Sequence, residues 1–238
     1  MKKWILILGL MLMAPISALA LSLNDDTWNI VYDGYGTVNL GDANQVELQP
    51  MTSTQPGETH AALVLNDKPI TGNYKVNFTV ENVAQLRQGS DPNPWEAPWF
   101  IFGYKPGTGG ITDADRTFSY LIFKPDGYGL ELGEALPFNG QNFLWTSPVG
   151  ADSYPVGQSY QVEVIIQDGM VTVNVDGIQK FIFSDLSRKQ LTSDGYVGLY
   201  SEDAKVKFSN LQVSPLITEE SAPAPTKEKK TRTRHSRR

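Results

Sequence analysis

The sequence contains no cysteine and only two histidines, His60 and His235. The first absence excludes disulfides, thiolate zinc sites and lipid attachment through an N-terminal cysteine. The second leaves too few ligands for a histidine-rich metal centre. His60 is the one histidine in the part expected to fold, so no Ser–His–Asp arrangement is expected either. Helical periodicity is also missing, as is any apolar run beyond the N-terminus long enough to cross a membrane. Such a chain must hold together by burial alone, and 238 residues suffice for one sizeable core in a single domain.

The two ends differ from the middle. The opening "MKKWILILGLMLMAPISALA" has two early lysines, an apolar core over residues 4–13 and the small-residue pattern Ala18-Leu19-Ala20. It reads as a secretory signal peptide over residues 1–20, cleaved after Ala20, because its apolar core is too short for a spanning helix. The chain is therefore expected to be exported, to a periplasm or beyond the cell. Residues 217–238, "ITEESAPAPTKEKKTRTRHSRR", hold seven Lys or Arg against three Glu. This composition predicts a disordered basic tail, either a solubilising segment or an arm that touches an anionic surface. Residues 21–216 carry a net charge of −12, so the folded domain is not expected to seek nucleic acid.

Strand patterns fill the middle. "YKVNFTV" at 74–80 and "YQVEVII" at 160–166 alternate strictly between apolar and polar residues. Asp168-Gly169 and Asp176-Gly177 are hairpin turns of the kind that needs positive φ, and they link three strands into a meander. "KVKFSNLQV" at 205–213 is expected to be irregular at Ser209-Asn210. A dozen or so short strands of this kind predict an all-β, two-sheet antiparallel sandwich over residues 21–216. "WFIFGY" and "FSYLIF" differ from the rest, being apolar at nearly every position. Such strands are covered on both faces. One face meets the other sheet; the second must meet loops or a ligand.

In chain order, "NPWEAPWFIFGY", "FSYLIFKPDGYGLELG", "VTVNVDGIQKFIF" and "GYVGLYSEDAKVKFSNLQV" resemble secreted bacterial domains of the concanavalin A-like lectin and glucanase superfamily. The nearest look is to the family-16-like or 3-keto-disaccharide hydrolase-like group. The resemblance spans about residues 28–213 and implies a jelly roll, a fold that hosts both enzymes and pure binders. It also implies a glycan ligand on the concave sheet and, in many members, a structural calcium ion at the rim. Asp25 and Asp26, near the first strand, and Asp203, beside Glu202 in the last hairpin, are the candidate calcium ligands, with Asp113 and Asp115 a further acidic pair; the alternative is acidic turns facing water.

The candidate glycan site begins in the hairpin "FKPDGYGLELG". If Asp126-Gly127 is a two-residue turn, Lys124 lies opposite Gly129 and Ile122 opposite Glu131; if Pro125 joins a three-residue turn, the pairing slips by one and Glu131 faces Leu121. In the first case one face carries Tyr120, Lys124 and Glu131, and the glycines beside Glu131 suggest open space. The alternative is a Lys124–Glu131 ion pair on a solvated face. Pro94 and Pro98 make 93–98 a loop or strand edge, which offers Trp95 as a stacking platform and Glu96 as a hydroxyl acceptor or acid. Asn93 and Arg87 lie on the same loop, with Arg87 a candidate partner for Glu96, and Trp99 either lines the site or caps the core. Family-16 glucanases carry paired carboxylates on one strand face. Glu131 and Glu134 are three residues apart and face opposite ways, so they cannot form that pair unless the strand breaks at Gly133. The first reading is therefore a glycan binder. The second is a glycoside hydrolase using Glu131 with Glu96, and the third a structural envelope scaffold.

Overall fold

The computed structural model describes residues 23, 28–42, 44–184 and 194–216. The expected signal segment, the basic tail, Asp25 and Asp26 lie outside them. Among the described residues fourteen strands form two seven-stranded antiparallel sheets, with no α-helix. The two-sheet jelly-roll sandwich expected from the sequence is the architecture found.

The first sheet runs β1 (Trp28–Tyr32), β4 (Ala61–Asn66), β13 (Tyr196–Glu202), β6 (Pro98–Lys105), β7 (Thr117–Lys124), β8 (Gly129–Leu136) and β9 (Gly140–Thr146). The second runs β12 (Ile178–Ser184), β11 (Met170–Val175), β10 (Ser159–Gln167), β5 (Tyr74–Gln85), β14 (Ala204–Pro215), β3 (Gln45–Gln49) and β2 (Thr37–Asp42). Asp126, Asp168 and Asp176 all have positive φ, as their turns require. Lys124 pairs with Gly129 and Ile122 with Glu131, the register a two-residue turn sets. β14 slips register between Ser209 and Gln212, with Asn210 at φ 55°.

Alternation decides what is buried. In β5 the residues Tyr74, Val76, Phe78 and Val80 point into the sandwich, while Lys75, Asn77 and Thr79 point out. Phe78 stacks on Phe100 of the facing sheet with ring centres 5.0 Å apart, and meets Phe123 edge-on at 6.1 Å. Each such ring removed from water contributes about 1.5–3 kcal/mol.

The first sheet also has an apolar outer face. Leu63, Leu65, Trp99, Ile101, Tyr104, Tyr120 and Ile122 form a second buried cluster there, separate from the core between the sheets. Rings continue across it: Trp99 lies 5.0 Å from Tyr120 and 5.0 Å from Tyr200, and Tyr104 stacks on Phe118 at 5.4 Å. A register shift in β6, where Gly103 has φ 59°, turns Tyr104 onto this face. This is the double covering that the all-apolar sequences of β6 and β7 predict.

Candidate functional site

A hollow of about 140 Å³ opens on that outer face. Its apolar lining comes from Tyr32 (β1), Trp99 (β6), Phe118 and Tyr120 (β7), Ala135 (β8) and Tyr200 (β13). Its polar lining comes from Arg116, Asn139, Gln141 and Glu202. Strand pairing explains the assembly. Tyr200 lies opposite Trp99, Trp99 opposite Ile122, Tyr120 opposite Gly133 and Phe118 opposite Ala135. Paired residues share a face, so these side chains converge although they come from distant parts of the chain.

The polar groups are held in defined ways. Tyr200 donates its hydroxyl proton to Glu202 Oε2 at 3.0 Å. Burial pushes the Glu202 carboxyl above its ordinary range, against the opposing effect of that hydrogen bond. Burial also raises Tyr32, Tyr120 and Tyr200, so all three are neutral donors at physiological pH. Arg116 Nη1 donates to the carbonyl of Asp113 at 3.0 Å, which fixes the guanidinium against the loop it sits on. That loop is tied to the β8–β9 turn, where the Phe138 N–H donates to the Ala114 carbonyl at 2.5 Å. Phe138 (φ 60°) and Phe143 are 77% and 61% exposed, beside the hollow-lining residues Asn139 and Gln141.

Of the residues singled out from the sequence, Trp99 and Tyr120 line the hollow. Glu131 does not. It is buried, and its Oε2 accepts from Lys124 Nζ at 2.8 Å, so both side chains are committed to an inner ion pair rather than a solvated one. The open space expected beside Glu131 is filled. A Cβ on Gly133 would collide with the Tyr120 ring, and one on Gly129 would meet Ser147. A trough holding both Tyr120 and Glu131 is therefore not what the sheet builds.

The loop before β6 is a framework. Glu96 is buried, and its Oε1 accepts from the Asn93 N–H at 2.9 Å and faces Arg87 Nε at 3.2 Å. Burial pushes its carboxyl up, opposed by those two neighbours. The pairing of Arg87 with Glu96 expected from the sequence is present. Asn93 organises the turn: its side-chain oxygen accepts from the Trp95 N–H at 2.9 Å. Trp95 is 41% exposed, as its Pro-bounded loop predicts, yet it is not among the residues lining the hollow. It serves the fold through its carbonyl, which accepts from the Trp99 indole at 3.2 Å.

Asp203 does not fit a calcium ion. It is fully buried, and its oxygens accept from the Ser53 hydroxyl, from the His60 N–H at 2.8 Å and from Arg87 Nη2 at 2.5 Å. The cation beside this carboxylate is a guanidinium, which also faces Glu96. Among the described residues no group of three or more His, Cys, Asp or Glu gathers as metal ligands.

Nothing in the sequence alone places Tyr32, Arg116, Asn139, Gln141, Tyr200 or Glu202 at a glycan site, and Glu202 stands out there only beside Asp203 as an acidic pair. The tyrosine and glutamate of "GLYSE" stand two apart on a strand next to β6. That is the one signal that could have found them, given the jelly-roll order.

No family model matches this chain, and no curated protein matches it in sequence. Solved structures match it in fold. The carbohydrate-binding module CBM66 from Bacillus subtilis superposes with a TM-score of 0.53 at 10% identity, over 79% of this chain and 95% of that one. The exoplasmic/lumenal domain of VIP36, in its Ca2+/Man3GlcNAc-bound form, gives 0.55 at 12% identity, over 85% and 90%. A chain from human gut microbiota, described with endo-acting O-glycanases that initiate mucin breakdown, gives 0.52 at 10% identity, over 84% and 100%. These likenesses support the two-sheet jelly-roll fold and, at such identities, the fold alone.

Proposed function

We propose that the protein binds a glycan in the hollow on the outer face of its first sheet. The observation that carries this is the hollow itself: an aromatic floor of Trp99, Tyr120 and Tyr200 with Arg116, Gln141 and Glu202 at its edge. Ring faces stack on the C–H faces of a sugar while the few polar groups orient its hydroxyls. At about 140 Å³ the hollow is well below the roughly 300–1,000 Å³ of pockets that enclose drug-sized ligands. It seats one sugar ring and leaves the rest of the glycan outside, where Phe138 and Phe143 extend the apolar surface. Glycan-bound VIP36 and CBM66 share the fold, which supports the reading.

Binding is preferred to hydrolysis because Glu202 is the single carboxylate among the described lining residues. A glycosidase needs two, about 5–9.5 Å apart. Glu131 and Glu96, the pair considered from the sequence, are each held by a cation away from the hollow. In this reading Lys124, Arg87, Asn93 and Trp95 belong to the framework, and no calcium sits at Asp203. The leader expected at 1–20 sends the protein out of the cytoplasm, and the basic segment 217–238 is the part available to an anionic surface.

A glycan array with the full chain tests the proposal. Gln141→Ala and Phe143→Ala alter exposed side chains and should lower binding severalfold without changing the melting temperature. Failure of the wild-type chain to bind any glycan, or undiminished binding by both variants, overturns it.

A further inference from the structure

Every other half-buried or buried cation among the described residues faces a carboxylate. Arg87 lies against Glu96 and Asp203, Lys124 against Glu131, Lys75 against Glu163, and Lys180 against Asp152. Lys205 and Lys207 likewise face Glu47 and Glu81. Arg116 departs from this pattern. It is half-buried and lines the hollow, and Nη1 donates to the backbone carbonyls of Thr112 and Asp113. Yet it forms no ion pair with any described residue, Glu202 across the hollow included. The neighbouring acids are engaged elsewhere: Asp113 accepts from the Gly109 N–H, and Asp115 accepts from the Thr108 N–H and hydroxyl.

We infer that the glycan taken by the hollow carries an anionic group, a carboxylate or a sulfate, which pairs with Arg116. The inference rests on the glycan-binding reading and names the substrate class for it. A guanidinium presents a planar fork of donors to such groups, and partial exclusion of water strengthens the pair. The rings of Trp99 and Tyr200 beside it supply the stacking that a free inorganic anion would not use. The carboxyl within the hollow does not compete strongly for Arg116. Glu202 is hydrogen-bonded by Tyr200, and burial favours its neutral form. The net charge of −12 over residues 21–216 acts at longer range. At physiological salt such charges are screened beyond about 8 Å, whereas the contact pair is not.

The test is a glycan array printed in matched triplets: a neutral sugar, its uronic acid and its sulfate ester, in gluco, galacto and manno configuration. The full chain and the variants Arg116→Gln and Arg116→Lys are applied, with thermal melts to confirm folding. A charge-assisted pair of this kind is worth roughly ten- to a hundredfold in affinity. The wild-type chain should prefer one acidic member of a triplet over its neutral counterpart by that factor. Arg116→Gln should abolish the preference while retaining the neutral sugar, and Arg116→Lys should keep part of it. Preference for the uronic acid or for the sulfate ester identifies which group is bound. Equal binding across the triplets, or equal loss of neutral and acidic sugars in Arg116→Gln, overturns the inference while leaving the glycan site intact. Absence of all binding overturns the site, and the inference with it.

Discussion

Tyr200 donates a hydrogen bond to Glu202 across 3.0 Å inside an aromatic hollow, and burial there holds the carboxyl above its ordinary 4.5. A raised carboxyl binds its proton more tightly in the folded chain than in the unfolded one. That contribution to stability is full below 4.5 and disappears as pH climbs through the raised value. Glu202→Gln, which keeps a neutral side chain at every pH, should therefore melt at or above the wild-type temperature at pH 8. The difference should shrink toward zero near pH 4. Thermal melts across that range check the sign; a deficit at pH 8 that vanishes at pH 4 would mean that the ionised carboxylate stabilises the fold.

Arg87 is the cation between two buried carboxylates. Arg87→Ala leaves Glu96 and Asp203 buried without it and should cost about 3–5 kcal/mol in urea unfolding. The loss should lessen as pH falls and Glu96, whose carboxyl burial already pushes up, takes up its proton. Arg87→Lys should recover only part of it, because one ammonium cannot span both partners as the guanidinium does.

Lys124 and Glu131 separate structure from function. Either Lys124→Met or Glu131→Leu alone strands a buried charge and should cost about 3–5 kcal/mol, while the double variant should come close to wild-type stability. Glycan binding by the double variant should be unchanged, since neither side chain lines the hollow. Loss of binding in a stable double variant would return Glu131 to the site.

Gly133 gives way to the Tyr120 ring. Gly133→Ala should destabilise by about 1–3 kcal/mol through that collision. Tyr120→Leu removes the ring atoms that a Cβ at position 133 would meet, so it should soften the effect of Gly133→Ala in the double variant. Chemical denaturation of the four proteins in that cycle measures the coupling.

Much of the architecture was legible because its signals are local. Alternation in β5 and β10 and the three Asp-Gly turns specify strands, faces and register from adjacent residues. The apolar texts of β6 and β7 announced a covered outer face, and Trp99 and Tyr120 were found on it. What could not be read is whatever depends on crossovers. Tyr200 and Glu202 reach the site because β13 pairs with β6, and Tyr32 because β1 joins the same sheet through β4. β9, which brings Gln141 and Phe143, lacks clean alternation: its register shifts opposite Leu132 and Gly133. The glycines flanking Glu131 suggest space in the sequence, whereas their missing side chains make room for Tyr120 and Ser147. A sequence shows where a Cβ is absent but not which neighbour occupies the gap.

Backbone amide shifts in a ¹⁵N-labelled protein titrated with the best-binding sugar locate the ligand most directly. The account predicts perturbations concentrated at Arg116, Tyr120, Gln141, Tyr200 and Glu202. Perturbations concentrated instead at Asn77, Gln161 and Asn174, which line a polar groove of about 420 Å³ on the second sheet, would contradict it.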